Sequence, residues 1–272
     1  MRPASCLPTS ARLLLGSLCV ISAAGAQTAP ARGIVLADLT WQEAERVLTS
    51  DVVIVIPLGA QAKEHGPHLR LDNDFQLAEY YRARVLAAAD VIVAPTVNYH
   101  FYPSFLEYPG STHLQFETAK NLIVDIVRSL AAYGPKRFYV LNTGVSTVRP
   151  LTAAAEELKA AGIHFAFTQP GAGPEETRVR QQVRGTHADE METSMMLYMR
   201  PDRVDMSKAV KDDSPQGQGG LTRVLGNAKT YSPSGVWGDA TLATREKGRI
   251  VVEESVATIL ADIEALRRSE RP

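Results

Sequence analysis

Val52-Val53-Ile54-Val55-Ile56-Pro57 is the stretch that decides the fold. It is continuously apolar, rich in β-branched side chains and of strand length, the pattern of a strand buried on both faces. On its carboxyl side, residues 76–89 carry a helical period. Val91-Ile92-Val93-Ala94 then repeats the buried-strand pattern until Pro95 stops it. The clearest helix covers 117–133, where Ala119, Leu122, Ile123, Ile126, Val127 and Leu130 form one apolar stripe at three- and four-residue spacing. Gly134-Pro135 ends that helix, and Phe138-Tyr139-Val140-Leu141 is the next strand. A helix over 151–160 leads through Gly162 to a strand over 163–167, and a last amphipathic helix spans about 243–266. Strands alternating with helices on short links predict an α/β fold, a parallel sheet covered by helices on both faces.

Three stretches interrupt this rhythm and read as loops: 98–113, 169–185 and 211–234. Long loops in a compact domain are often lids or contact segments. In open parallel sheets, ligands bind beyond the carboxyl ends of the strands. Those ends are Pro57-Leu58-Gly59, Pro95-Thr96-Val97 and Asn142-Thr143-Gly144, and a run rich in histidine and acid begins just after the first.

The chain has 272 residues, 45% hydrophobic, with 29 basic and 30 acidic side chains and no long run of either sign. That balance gives no footprint for a phosphate backbone, so no nucleic-acid partner is expected. Residues 1–26 have the order of a secretory signal. Arg2 and Arg12 precede the apolar run Leu13-Leu14-Leu15-Gly16-Ser17-Leu18-Cys19-Val20-Ile21, and small residues end it at Ala24-Gly25-Ala26. The apolar core is too short for a permanent span, so the mature protein is expected in the periplasm or secreted, without stable membrane association. Both cysteines, Cys6 and Cys19, fall in this segment, which leaves no disulfide to support the mature fold.

Two clusters carry chemistry. Glu64, His65, His68, Asp72 and Asp74 place two imidazoles and three carboxylates in one segment punctuated by Gly66 and Pro67. Carboxylate oxygen and imidazole nitrogen are the mixed donor set favoured by zinc, manganese or a related divalent ion. The alternative for this segment is a solvated charged loop. The second cluster is Thr186-His187-Ala188-Asp189-Glu190-Met191-Glu192-Thr193-Ser194. A helix starting near Asp189 would have an acidic first turn, which the helix dipole favours. His187 would then stand at the helix entrance, three residues from Glu190 and able to share a face with it.

The order Pro57-Leu58-Gly59-Ala60, then Glu64-His65-Gly66-Pro67-His68-Leu69, then Asp74 resembles the creatininase (creatinine amidohydrolase) family. In that family a P-x-G turn precedes E-x-H-G-P-H-L, and an aspartate follows nine residues after the first histidine, the spacing of His65 and Asp74. Tyr108-Pro109-Gly110-Ser111-Thr112, the segment from His187 to Ser194, Pro201-Asp202, Gly235-Val236 with Gly238-Asp239, and Glu246-Lys247-Gly248 continue the match in order. The resemblance implies a three-layer α/β/α domain over 36–268 with a mostly parallel central sheet, assembled as a homo-oligomer. It implies a metal-dependent amidohydrolase that cleaves a C–N bond of a small cyclic or linear amide. The roles it suggests are metal binding by Glu64, His65 and Asp74 with Glu192, and proton transfer by His187 with Glu190. Substrate contacts are expected from Lys63, His68, Tyr102 and Trp237.

Two departures from the family pattern bear on the metal. Lys63 occupies the position of the family glutamate, two residues before the histidine, and Glu64 is adjacent to His65. The family's N-G-H segment after the third core strand reads Asn142-Thr143-Gly144, without a histidine. One zinc or manganese ion is therefore expected, with a second left open. The alternative is a non-catalytic periplasmic small-molecule-binding protein on a degenerate creatininase scaffold. No G-x-S-x-G elbow and no H-E-x-x-H motif occurs, which argues against a serine hydrolase of that type and a zincin.

Overall fold

The computed structural model describes Met1 and residues 31–269. The expected signal segment therefore lies, apart from Met1, outside the described residues. The chain forms β1 (Ile34–Val35), α1 (Trp41–Val47), β2 (Val53–Leu58), α2 (Asn73–Ala88), β3 (Ile92–Val93), α3 (Phe116–Ala131) and β4 (Arg137–Asn142). It continues with α4 (Val148–Ala160), β5 (His164–Phe167), α5 (Pro174–Val179), α6 (Glu190–Met199), β6 (Lys211–Asp212), β7 (Leu221–Thr222), β8 (Thr230–Tyr231), β9 (Gly238–Asp239) and α7 (Arg245–Arg268).

The central sheet has the order β1-β3-β2-β4-β5, and every neighbouring pair is parallel. Its first strand begins at Ile34, two residues before the expected domain start. β2 is buried along its whole length, which is what a run apolar on both faces requires. The pleat sends alternate side chains to opposite layers. Ile54, Ile56 and Leu58 join Phe138 and Val140 against α3 and α4, while Val53 and Val55 join Tyr139 and Leu141 against α2 and α7. Removing each such aliphatic side chain from water is worth about 1.5–3 kcal/mol. The architecture is the expected three-layer α/β/α sandwich.

From β2 the chain steps to one side, to β3, and then crosses to β4 on the other side of β2. The strand order therefore reverses at the β2–β4 junction, and a crevice opens beyond the carboxyl ends of these two strands. Gly59 is needed there because a Cβ would overlap the Asp74 carbonyl oxygen at the start of α2. The close approach brings the first turn of α2, with Asp74, onto the end of β2.

The loop 98–113 contains a single 3-10 turn, Pro103–Phe105. The loop 169–185 contains the short helix α5. The stretch 211–234 is mostly irregular, with β6 pairing antiparallel to β9 and β7 pairing with β8. No helix among the described residues is long and apolar enough to cross a membrane.

Candidate metal centre

The turn after β2 folds back through Gly66 and places Lys63, Glu64 and His65 under the loop 98–113. Two hydrogen bonds tie these segments: Glu64 N–H donates to Ser111 Oγ (3.0 Å), and Thr112 N–H donates to the Ala62 carbonyl (2.8 Å). Those contacts account for the Tyr108-Pro109-Gly110-Ser111-Thr112 segment. On the other side, His187 lies in an extended bridge to Trp237, with His187 N–H on the Trp237 carbonyl (3.2 Å) and Trp237 N–H on the His187 carbonyl (2.9 Å). Ala188 follows with φ 47°, a left-handed backbone that a residue with a Cβ seldom adopts. This turn lets α6 start with Asp189 as its cap, Asp189 Oδ1 accepting from the N–H groups of Met191 and Glu192 at 3.0 Å each.

His65 and His187 meet across this junction with ring centroids 5.0 Å apart. One donor atom from each of His65, His187 and Glu192 lies within 4.8 Å of the other two. Each histidine is backed by a carboxylate. His187 Nε2 donates to the Glu64 backbone oxygen and to Glu64 Oε2, both at 3.0 Å, which fixes the proton on Nε2. His187 Nδ1 is left facing Glu192 Oε2 at 3.7 Å. That separation is long for a hydrogen bond but matches two donors sharing one ion, since ligand distances of about 2.1 Å leave neighbouring donors roughly 3.5 Å apart. His65 has Nδ1 on the Lys63 carbonyl (2.9 Å) and Nε2 on Asp74 Oδ1 (2.8 Å). A neutral imidazole has one N–H and cannot donate to both acceptors, so His65 in this arrangement carries either a second proton or a cation in its place at Nε2, beside Asp74. The residues therefore fit a divalent ion. Glu64 on Nε2 of His187 and the Lys63 carbonyl on Nδ1 of His65 orient two imidazoles, and with the Glu192 carboxylate these would supply a zinc-type donor set.

Burial and charge act against each other here. Burial pushes the Glu64 carboxyl up, but His187, the Gly66 N–H and His65 together hold it below its ordinary range. Burial likewise pushes His187 down, and Glu64, then Glu192, raise it above 6.5. Asp74 is fully desolvated, yet Lys63 and His65 hold its carboxyl far below the usual carboxylate range. Asp189 goes the other way: burial, then the Glu192 charge, push its carboxyl up to about 6.

Of the expected ligands, His65 and Glu192 lie in the cluster. Asp74 adjoins it, with Oδ1 2.8 Å from His65 Nε2 and Oδ2 paired with Lys63 Nζ at 2.6 Å. Glu64 backs His187 instead of joining the cluster. His187, expected as a proton carrier, supplies one of the three donors. Glu190 does not reach His187: its buried carboxylate accepts from the N–H groups of Gln181 (2.9 Å) and Gln182 (2.7 Å) and pairs with Lys247. The expected i, i+3 relation fails because His187 precedes the helix in extended backbone. Glu192, expected among the ligands, turns back over the helix start, with Ala188 N–H on its Oε2 (2.6 Å).

The expected substrate contacts are also redistributed. Lys63 is buried at 5% exposure and tied to Asp74. His68 places Nε2 at 2.7 Å from Thr193 Oγ1, and its buried Nδ1 has no partner among the described residues. Burial, then the neighbouring His65, lowers its pKa to about 4, so it is neutral. Tyr102 is buried against Lys63, and Trp237 gives its indole N–H to the Ser214 carbonyl (3.1 Å). A cavity of about 370 Å³ opens beyond the ends of β4 and β5, lined by Asn142, Thr143, Arg180, Asp189, Glu192 and Met195 among others. It touches the cluster only through Glu192. Phe105 covers the remainder, its ring centroid 4.4 Å from that of His187. Phe105 falls in the aromatic stretch 99–107 expected to line a pocket, whereas Gln182, Thr193 and Lys247 carry no signal of their roles in the sequence.

An α/β/α sandwich with a histidine–carboxylate centre at the strand-order reversal defines the class of protein. The family follows from comparison: the model described as "Creatininase: Creatinine amidohydrolase" matches residues 37–263, and the chain belongs to the creatininase family. Its members include hydrolases. It is 29% identical over 257 residues to "Creatinine amidohydrolase" of Pseudomonas putida, covering 84% of this chain and 95% of that protein. It is 25% identical over 232 residues to "Mycofactocin precursor peptide peptidase" of Mycobacterium ulcerans (strain Agy99), covering 82% and 88%. Among solved structures, "Creatininase Mn" superimposes with TM-score 0.71 at 25% identity, covering 87% of this chain and 100% of that one. A mutant creatininase of "Zn-Zn type" does so with TM-score 0.72 at 26% identity, covering 87% and 99%.

Proposed function

We propose that this protein is an exported metal-dependent amidohydrolase that cleaves a C–N bond of a small amide. The observation that carries the reading is the His65–His187–Glu192 cluster, with Asp74 beside His65 and Glu64 behind His187. These three donors hold one divalent ion, zinc or manganese. Such an ion, when bound, lowers the pKa of a water to about 7 and polarises a substrate carbonyl.

The chain's own groups do the rest. Glu64 holds His187 through Nε2 and so turns Nδ1 towards the ion, and the Lys63 carbonyl holds His65 through Nδ1 and so turns Nε2 towards it. Phe105 and Tyr102 exclude bulk water, which strengthens every charge interaction inside. Asp189 lines the cavity beside Glu192, and burial with the Glu192 charge raises its carboxyl to about 6, close enough to neutral pH for it to exchange a proton with the leaving nitrogen. The cavity volume suits a small molecule or the end of a short peptide.

The test is hydrolysis of a panel of cyclic and linear amides and short peptides by protein loaded with Zn²⁺ or Mn²⁺, following amine release. Activity that is lost in His65→Ala and in Asp189→Asn supports the reading. A protein that binds a panel member but never hydrolyses it, with or without metal, supports the binding-protein alternative. Export is tested by sequencing the amino terminus of the protein recovered from the periplasm or the medium. A start at Gln27 is expected, and an intact Met1 contradicts it.

A further inference from the structure

We infer that the Lys63 ammonium supplies the positive charge that a second metal ion would bring, so that the centre is built for one divalent ion and one lysine. The inference rests on the metal reading above and goes beyond it in assigning the charge at Asp74. Three observations carry it. First, Asp74 is a buried bridging carboxylate: Oδ1 meets His65 Nε2 at 2.8 Å, and Oδ2 meets Lys63 Nζ at 2.6 Å. Its Oδ1 thus faces a donor of the metal cluster and its Oδ2 a fixed ammonium. On the Oδ2 side of Asp74 the cation is already present and covalently attached.

Second, the ammonium is held in place. Its charge lies 4.9 Å from the centroid of the Phe105 ring and 5.7 Å from that of Tyr102, within cation–π range. The residue is 5% exposed. A lysine this deep persists only with a partner of opposite charge, and Asp74 is that partner.

Third, the charges balance at one ion. Glu64, Asp74 and Glu192 bring three negative charges to the cluster, while Glu190 has Lys247 and Asp189 has Arg180 as its own cation. Lys63 and one divalent ion neutralise the three, with both histidines neutral. A second divalent ion would leave two uncompensated positive charges in a buried site, where desolvation costs several kcal/mol per ion. Asn142-Thr143-Gly144, at the end of β4, offers no imidazole or carboxylate to offset them. The solved relative of "Zn-Zn type" shows that the fold itself accommodates a pair. The restriction is therefore in these side chains.

The experiment is metal counting on the full chain. Protein stripped with chelator, reloaded with Mn²⁺ and desalted is analysed by inductively coupled plasma mass spectrometry, and thermal melts are recorded before and after loading. Wild type is expected to retain one equivalent, Lys63→Arg one, and Lys63→Glu two, since the carboxylate reverses the charge beside Asp74. Should Lys63→Glu fail to fold, Lys63→Gln serves through its melts. Stripped Lys63→Gln is expected to melt below stripped wild type, and Mn²⁺ to raise its Tm by more than it raises that of wild type. Two equivalents in wild type, one in Lys63→Glu, or equal Mn²⁺ shifts in wild type and Lys63→Gln overturn the role of Lys63. No retained metal in wild type overturns the metal reading itself, and the inference with it.

Discussion

Replacing Lys247 by methionine separates the structural from the chemical acids of this site. Glu190 is buried, with its side chain fully inaccessible, and Lys247 Nζ is its counter-charge. The same ammonium donates to the Leu242 carbonyl and to Gln181 Oε1, both at 2.8 Å. Glu190 in turn holds the N–H groups of Gln181 and Gln182, and so fixes the chain that leads into His187. Removing one member of a buried ion pair costs about 3–5 kcal/mol, because the other charge stays buried and uncompensated. In a chain of this size each kcal/mol moves Tm by about 2–4 °C, so Lys247→Met is expected to melt roughly 6–20 °C below wild type. Glu190→Gln in the same background removes the orphaned charge and is expected to recover at least half of that loss. The assay is a double-mutant cycle by urea unfolding and thermal melts, with the coupling energy as its readout. Residual activity below the transition is expected to stay within a few-fold of wild type in the double variant. A coupling below about 0.5 kcal/mol would refute the clamp. Abolished turnover in a folded Glu190→Gln protein would return Glu190 to the chemistry.

Three further outcomes are expected. The Glu64–His187 pair makes the metal-free protein pH-sensitive. His187, raised above 6.5, contributes stability that is complete below 6.5 and lost as the pH rises through its folded value. Glu64, lowered from 4.5, contributes stability that is complete above 4.5 and lost as the pH falls through its folded value. The Tm difference between stripped wild type and Glu64→Gln should therefore be largest between 4.5 and 6.5 and shrink in alkali. A difference unchanged up to about pH 9 would contradict the pair. Chelation should lower Tm, by an amount equivalent to about 2.7 kcal/mol relative to protein held at a hundred times Kd in free metal, and an unchanged melt counts against a bound ion. Gly59→Ala should force α2 away from β2, costing about 1–3 kcal/mol and weakening metal retention by displacing Asp74, whereas a variant with wild-type Tm and metal content would show the contact to be tolerant.

The sheet was legible because β2, β3 and β4 are buried on both faces and so lack polar positions, which a periodicity argument detects directly. The edge strand Ile34–Val35 was not, since two half-buried residues leave no pattern. The helix Trp41–Val47 was missed although its start carries a capping box, Thr40 with Glu43. At the site, the residue types were visible but their partners were not. Glu64 reaches His187 across 123 positions, and His68 reaches Thr193 across 125. No local spacing encodes such contacts. The pairing of His187 with Glu190 assumed helical geometry where the backbone is extended, and the left-handed turn at Ala188 was unforeseeable from an alanine. Lys63 was legible as a departure from the family pattern and as a cation for an anionic partner, and the structure places its ammonium on Asp74.

Anomalous diffraction from crystals of the Mn²⁺-loaded chain tests the central claim most directly. One manganese peak per chain, in contact with His65, His187 and Glu192 and with the Lys63 ammonium still on Asp74, is the predicted result. A peak that displaces Lys63 from Asp74, a second peak beside it, or no peak among those three side chains would contradict it.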